Sequence, residues 1–131
     1  MQSSNVQQAV KTVLFSILVQ ITIDRTLVDF NAGDILVCQN EISNMEYLIQ
    51  AAHGKDMKIA WNPSPVTDIV TRVDFNMITW LIINEIEGNI ITGESAPDQI
   101  LNILRSKYPS LRVVLTLGED GAVYQDEHTT V

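Results

Sequence analysis

Four short apolar runs recur along the chain, and the stretches between them carry helical spacing. The runs are ILVCQ (35–39), MKIAW (57–61), MITWLII (77–83) and RVVLTLG (112–118). Near-continuous apolar strands that alternate with helices mark an α/β fold: a mostly parallel sheet with both faces covered. A fifth apolar stretch, VLFSILVQITI (13–23), reads as one more buried strand on its length and β-branched content. It is too short to span a bilayer, Gln20 interrupts it, and no small-residue cleavage site follows.

The connecting segments have their own signals. In SNMEYLIQAAHGK, Ser43 and Glu46 have capping-box spacing, Met45, Leu48, Ile49 and Ala52 form one stripe, and Gly54 is a stop. A short helical turn is expected from Glu85 to Thr92–Gly93. Ser95 with Asp98, and Pro97 between them, signal another helix start. AVYQ after Gly121 reads as a hairpin partner for the last long strand. At 131 residues, with 46% hydrophobic and 18% charged residues, the chain suits one globular domain.

A net charge of −8 argues against binding a nucleic-acid backbone but not against a nucleotide, which backbone N–H groups and a metal ion can hold. The single cysteine, Cys38, gives no intrachain disulfide, which fits a reducing, cytoplasmic setting. Inside an apolar strand it reads as a small core residue rather than a nucleophile.

The chemistry lies at the strand ends. ILVCQ ends in Gln39-Asn40-Glu41, MKIAW in Asn62-Pro63, MITWLII in Asn84 and Glu87, and RVVLTLG in Thr116-Leu117-Gly118-Glu119-Asp120-Gly121. In parallel sheets, ligands sit beyond the carboxyl ends of the strands, so these groups are expected to converge on one rim. Such a rim can hydrogen-bond sugar hydroxyls or hold a magnesium ion through water. Each group also has a plainer use. Asn84 suits a helix cap, Glu85 and Glu87 suit the first turn of a helix, Glu41 suits a solvated loop, and Gly118 and Gly121 suit a tight turn.

Taken in order, these segments resemble the ribokinase family, the phosphofructokinase-B type carbohydrate and nucleoside kinases. GDILVCQNEIS resembles the family's strand and acidic loop, which implies that Glu41 contacts the sugar. IAWNPSP resembles its Asn-Pro-Ala-Pro segment. LIINEIEGNIITGE resembles its Asn-x-x-Glu signature, which implies that Asn84 and Glu87 lie near the phosphates. Glu87 would then organise magnesium through water. VVLTLGEDGAVY resembles its Thr-Leu-Gly-x-x-Gly loop, which implies that Thr116, Gly118 and Gly121 line the adenine nucleotide. The resemblance implies a three-layer, Rossmann-like fold, ATP and Mg2+ as cofactors, and transfer of a phosphoryl group to a sugar hydroxyl.

The resemblance runs from about residue 33 to 124 and leaves 1–32 poorly matched, so 1–131 is expected to be one partial domain. The family's Gly-Gly substrate motif, its β lid and its Gly-Ala-Gly-Asp motif, whose Asp is the catalytic base, do not occur in residues 1–131. Losing the base and the anion-hole donors removes roughly 10²–10⁴-fold and 10²–10³-fold of rate. The expectation is a central slice of such a kinase, inactive alone, with no catalytic residue of its own. It is expected to bind nucleotide and a sugar, to avoid nucleic acid and membrane, and to form a homo-oligomer or join another chain through open sheet edges. The alternative is a non-catalytic α/β module used for assembly or regulation. A receiver-like or flavodoxin-like protein lacks support: no acidic pocket or phosphate loop follows the first strand.

Overall fold

The structure, a computed structural model, describes residues 18–40, 44–64 and 68–131. The chain begins with α1 (residues 18–27), then β1 (Ile35–Gln39), α2 (Met45–Gly54) and β2 (Lys58–Asn62). Two 3₁₀ turns at Asp68–Thr71 and Phe75–Met77 lead to β3 (Trp80–Asn84), α3 (Glu85–Thr92), α4 (Pro97–Lys107) and β4 (Arg112–Thr116). A third turn, Gly118–Asp120, connects to β5 (Ala122–Gln125).

The sheet runs β1-β2-β3-β4-β5 in space, with the first four strands parallel and β5 antiparallel on β4. The mostly parallel α/β architecture and the closing hairpin agree with the sequence. Strand order equals chain order, and right-handed crossovers then carry every connection over the same face. The packing agrees. Ile59, Trp61, Leu81, Ile83, Val113 and Leu115 form one buried cluster with Leu48 and Ile49 of α2 and with Ile100, Leu101 and Leu104 of α4. The alternating strand residues point away from it. Among the described residues, the helices cover one face of the sheet.

The strand expected at 13–23 is also corrected over its described part. Residues 18–23 belong to α1, and 13–17 lie outside the described residues. Ile23 and Leu27 are buried and Val19 packs against the core, a spacing of four, while Leu18 and Ile21 stay exposed. Contacts to α2 hold the helix. The Tyr47 hydroxyl donates to Asp24 Oδ1 at 2.6 Å, and the Lys55 ammonium donates to the Leu27 carbonyl at the helix end. The Thr22 and Thr26 hydroxyls donate to carbonyls four residues back, so β-branched content is accommodated in a helix.

Smaller corrections concern the helix starts. Ser43 of the expected capping box lies outside the described residues, and α2 starts after Asn44 with φ 64°. The α4 cap is Ala96, without a side-chain bond; Ser95 instead accepts a hydrogen bond from Asn89 Nδ2 at 3.2 Å. Pro97 does open the helix, where its missing N–H is harmless. Met77 ends a 3₁₀ turn capped by the Asp74 carboxylate rather than opening β3.

Candidate functional site at the carboxyl rim of the sheet

Because β1 to β4 run parallel, their carboxyl ends share one rim. Register fixes which polar groups are neighbours. Gln39 pairs with Asn62, and Asn84 pairs with Thr116. The Thr116 hydroxyl donates to the Ile83 carbonyl at 3.4 Å, joining β4 to β3 at that end. Asn40 is oriented from below: its Oδ1 accepts the Trp61 indole N–H at 3.0 Å. Glu41, the expected sugar contact, lies outside the described residues.

At the β3–α3 junction, Asn84 and Glu87 form a reciprocal capping box. The Glu87 N–H donates to Asn84 Oδ1 at 2.8 Å, and the Asn84 N–H donates to Glu87 Oε1 at 2.9 Å. The plain reading of Asn84 as a cap is therefore correct. The box also fixes both side chains at the strand end, and Glu87 is 7% exposed while Glu85 points to solvent. Among the described residues, Asn84 Nδ2 and Glu87 Oε2 carry no further hydrogen bond, so one donor and one acceptor are left for a ligand. The amino end of α3 favours negative charge in the same place.

The next position of α3, Gly88, was not singled out from sequence. A Cβ there would lie 2.9 Å from Ile100 Cγ2. The missing side chain lets α4 close on α3, and a glycine inside an otherwise ordinary helical turn was the available signal.

The loop after β4 is shaped by two glycines. Gly118 has φ 62°, and Gly121 has φ 92° with ψ −135°, a region that residues with a Cβ avoid. The loop closes through the Leu117 N–H to the Gly121 carbonyl at 2.8 Å. Thr116, Gly118 and Gly121 thus sit one strand away from Asn84, as parallel neighbouring strands require. Beyond β5, residues 126–131 fold back onto α4. Arg105 donates to the carbonyls of Asp126 and Thr129 and to the Thr130 hydroxyl, and Asp126 accepts the His128 and Thr129 N–H groups.

The electrostatics argue against a nucleophilic role for Cys38. Burial pushes the Cys38 thiol up to about 11, and its Sγ lies 3.8 Å from the Ala60 carbonyl. Among the described residues, no group of three or more His, Cys, Asp or Glu side chains could hold a metal ion. A magnesium ion is commonly held by one or two carboxylates plus waters and phosphates. Glu87 beside Asn84 fits that pattern. No helix of the described residues is long and apolar enough to cross a membrane.

No family model matches the chain, and no curated protein matches its sequence. Solved structures do. A ribokinase from Cryptococcus neoformans var. grubii, in complex with ADP, superposes with a TM-score of 0.65 at 19% identity, over 80% of this chain and 39% of that one. A fructokinase from Vibrio cholerae, bound to fructose, ADP and calcium, gives 0.62 at 18% identity, over 79% and 38%. A nucleoside kinase from Burkholderia thailandensis, in complex with inosine, gives 0.56 at 16% identity, over 75% and 33%. The chain spans about two fifths of the length of the first of these. Over the part they share, the chain has the α/β fold of the ribokinase-type carbohydrate kinases.

Proposed function

We propose that this chain is the nucleotide-side portion of a ribokinase-like carbohydrate kinase. In that reading Asn84 and Glu87 face the phosphates, with Glu87 ordering a magnesium ion through water. Thr116, Gly118 and Gly121 run along the nucleotide, and Glu41 reaches the sugar. The observation that carries it is the pairing of Asn84 with Thr116, which sets the capping box and the glycine loop side by side on one rim. Phosphoryl transfer needs placement and charge stabilisation more than covalent help from the protein. The residues here offer a fixed carboxylate, an amide donor and an open loop backbone. They offer no base, so residues 1–131 bind nucleotide without turning over sugar until another segment supplies one. The setting is cytoplasmic, and the chain assembles with itself or with a partner.

The test is a thermal melt with and without magnesium-ATP. At about 100 times its dissociation constant, a ligand stabilises the native state by roughly 2.7 kcal/mol. Asn84→Ala lowers the baseline by about 1 kcal/mol through loss of the cap, and abolishes the ligand-induced shift. Asn84→Ser keeps a cap and restores the baseline but not the shift. A wild-type melt indifferent to magnesium-ATP ends the nucleotide reading. Sugar-dependent ATP consumption by the pure chain ends the claim of inactivity.

A further inference from the structure

A cavity of about 210 Å³ opens on the helical side of the sheet, where the carboxyl ends of α3 and α4 meet the 3₁₀ turns before β3. Its depth and its mouth differ in character. Val70, Val73, Phe75 and Leu104 are buried and form an apolar floor. Ile90 and Lys107 are exposed and stand at the mouth, beside the half-buried Tyr108. The rings of Phe75 and Tyr108 lie 5.3 Å apart with a tilt of 51°, so one wall is aromatic.

The polar groups of the lining divide in two. The Thr71 and Thr92 hydroxyls are already used, donating to the Asp68 and Gly88 carbonyls at 2.6 and 2.7 Å. The Lys107 ammonium and the Tyr108 hydroxyl take no hydrogen-bond or ion-pair partner among the described residues. Lys107 is also the one charged residue that lines the cavity, in a chain of net charge −8. Its place in the last turn of α4 suits the helix dipole, a use that leaves its three N–H donors open.

An apolar floor with a few polar groups at one end is the usual form of a small-molecule site. We infer that this cavity binds a small aromatic monocarboxylate. The ring lies on the floor against Phe75, and the carboxylate at the mouth takes the Lys107 ammonium and the Tyr108 hydroxyl. Drug-sized ligands occupy roughly 300–1,000 Å³, so a molecule of about ten non-hydrogen atoms is the expected size. One cation with one hydroxyl suits a monoanion, whereas a phosphate calls for more donors. The site lies toward the opposite end of α3 from Asn84, about 12 Å along an eight-residue helix, and needs neither nucleotide nor sugar.

The probe is phenylpropanoate, with phenylpropanol and phenylpropylamine as its neutral and cationic controls. Trp80→Phe leaves Trp61 as the sole tryptophan, with its ring 5.9 Å from that of Phe75. In that background the Trp61 emission is expected to change saturably with phenylpropanoate. The acid should bind about fivefold more tightly than the alcohol at low salt, and the preference should shrink as salt rises. Lys107→Met should bring the acid and the alcohol to parity, and Lys107→Glu should favour the amine. Lys107 is exposed, so both variants should fold, which a melt without ligand checks. No saturable change at tens of millimolar probe would overturn the inference. So would equal binding of the three probes, tighter binding of the amine to the parent chain, or an acid preference that survives both Lys107 variants.

Discussion

β3 and β1 carry equally apolar sequences, WLIIN and ILVCQ, yet they meet opposite environments. On the helix side, Leu81 and Ile83 of β3 are 0% and 1% exposed while Leu36 and Cys38 of β1 are only partly buried; on the other side, Trp80 and Ile82 of β3 are half-buried while Ile35 and Val37 of β1 are 55% and 75% exposed. β3 has a strand on either side and α3 packed against it; β1 is the sheet's margin, paired with β2 alone. Apolar content announces that a strand exists, and the number of its neighbours decides how far it is buried. The rim repeats the contrast. At the middle, Asn84 and Glu87 are locked to one another, whereas at the margin Asn40 is held by Trp61 and the residues that follow it lie outside the described residues.

The largest expected effect breaks this comparison directly. Ile83→Ala removes packed methylene groups from a site that cannot collapse freely and should cost about 2–5 kcal/mol. Val37→Ala, on the exposed side of β1, should fall within about 0.5 kcal/mol of wild type. Urea unfolding of both variants measures the difference. Similar losses at the two positions would mean that the margin is covered in solution.

Next comes the α3–α4 contact. Gly88→Val pushes branched carbons into Ile100, which the Cβ position already approaches at 2.9 Å, and overpacking of this kind costs about 1–3 kcal/mol. Shortening the opposing residue tests the mechanism. In the double variant with Ile100→Val, the two losses should be less than additive by at least about 0.5 kcal/mol, because they share one contact. Strict additivity would assign the cost of Gly88→Val to helix propensity instead of to the close approach.

These positions also show what was legible in advance. The strand pattern, the parallel order and the rim placement of Asn84 and Thr116 follow from periodicity and from the rule about strand carboxyl ends. The capping box was visible as Asn-x-x-Glu, since both of its bonds are local in sequence. α1 was misread because VLFSILVQITI carries apolar residues on every side. Its helix is chosen by contacts to Tyr47 and Lys55, more than twenty residues away. The face that the described helices share was not legible either. Which face a crossover takes depends on strand order, and no local pattern encodes that order. Gly88 shows its purpose only when Ile100 is brought against it, and Arg105 only when the chain folds back at Asp126.

The smallest effect probes the margin itself through Cys38, the core-facing residue beside Val37. Burial raises its thiol from 9.0 to about 11. The sign follows from which state ionises first. Below pH 9 the thiol is protonated in both native and unfolded chains, and its contribution to stability is fully present. Between pH 9 and 11 the unfolded chain loses the proton while the native one keeps it, so stability falls as pH rises and the contribution is gone above about 11. Cys38→Ala should lack that part of the alkaline slope while sharing whatever the lysines and tyrosines contribute, which paired urea titrations at pH 8 and 10 can resolve. Thiol labelling then asks whether the margin opens independently of the middle. If β1 is tied to the global fold, native Cys38 should react at pH 8 orders of magnitude more slowly than in urea, and Ile83→Ala should speed the reaction in proportion to its loss of stability. Labelling that is fast and indifferent to Ile83→Ala would make β1 a separate opening unit. The residues after Asn40 would then stand on its moving edge, while Asn84 and Thr116 stay on the rigid middle.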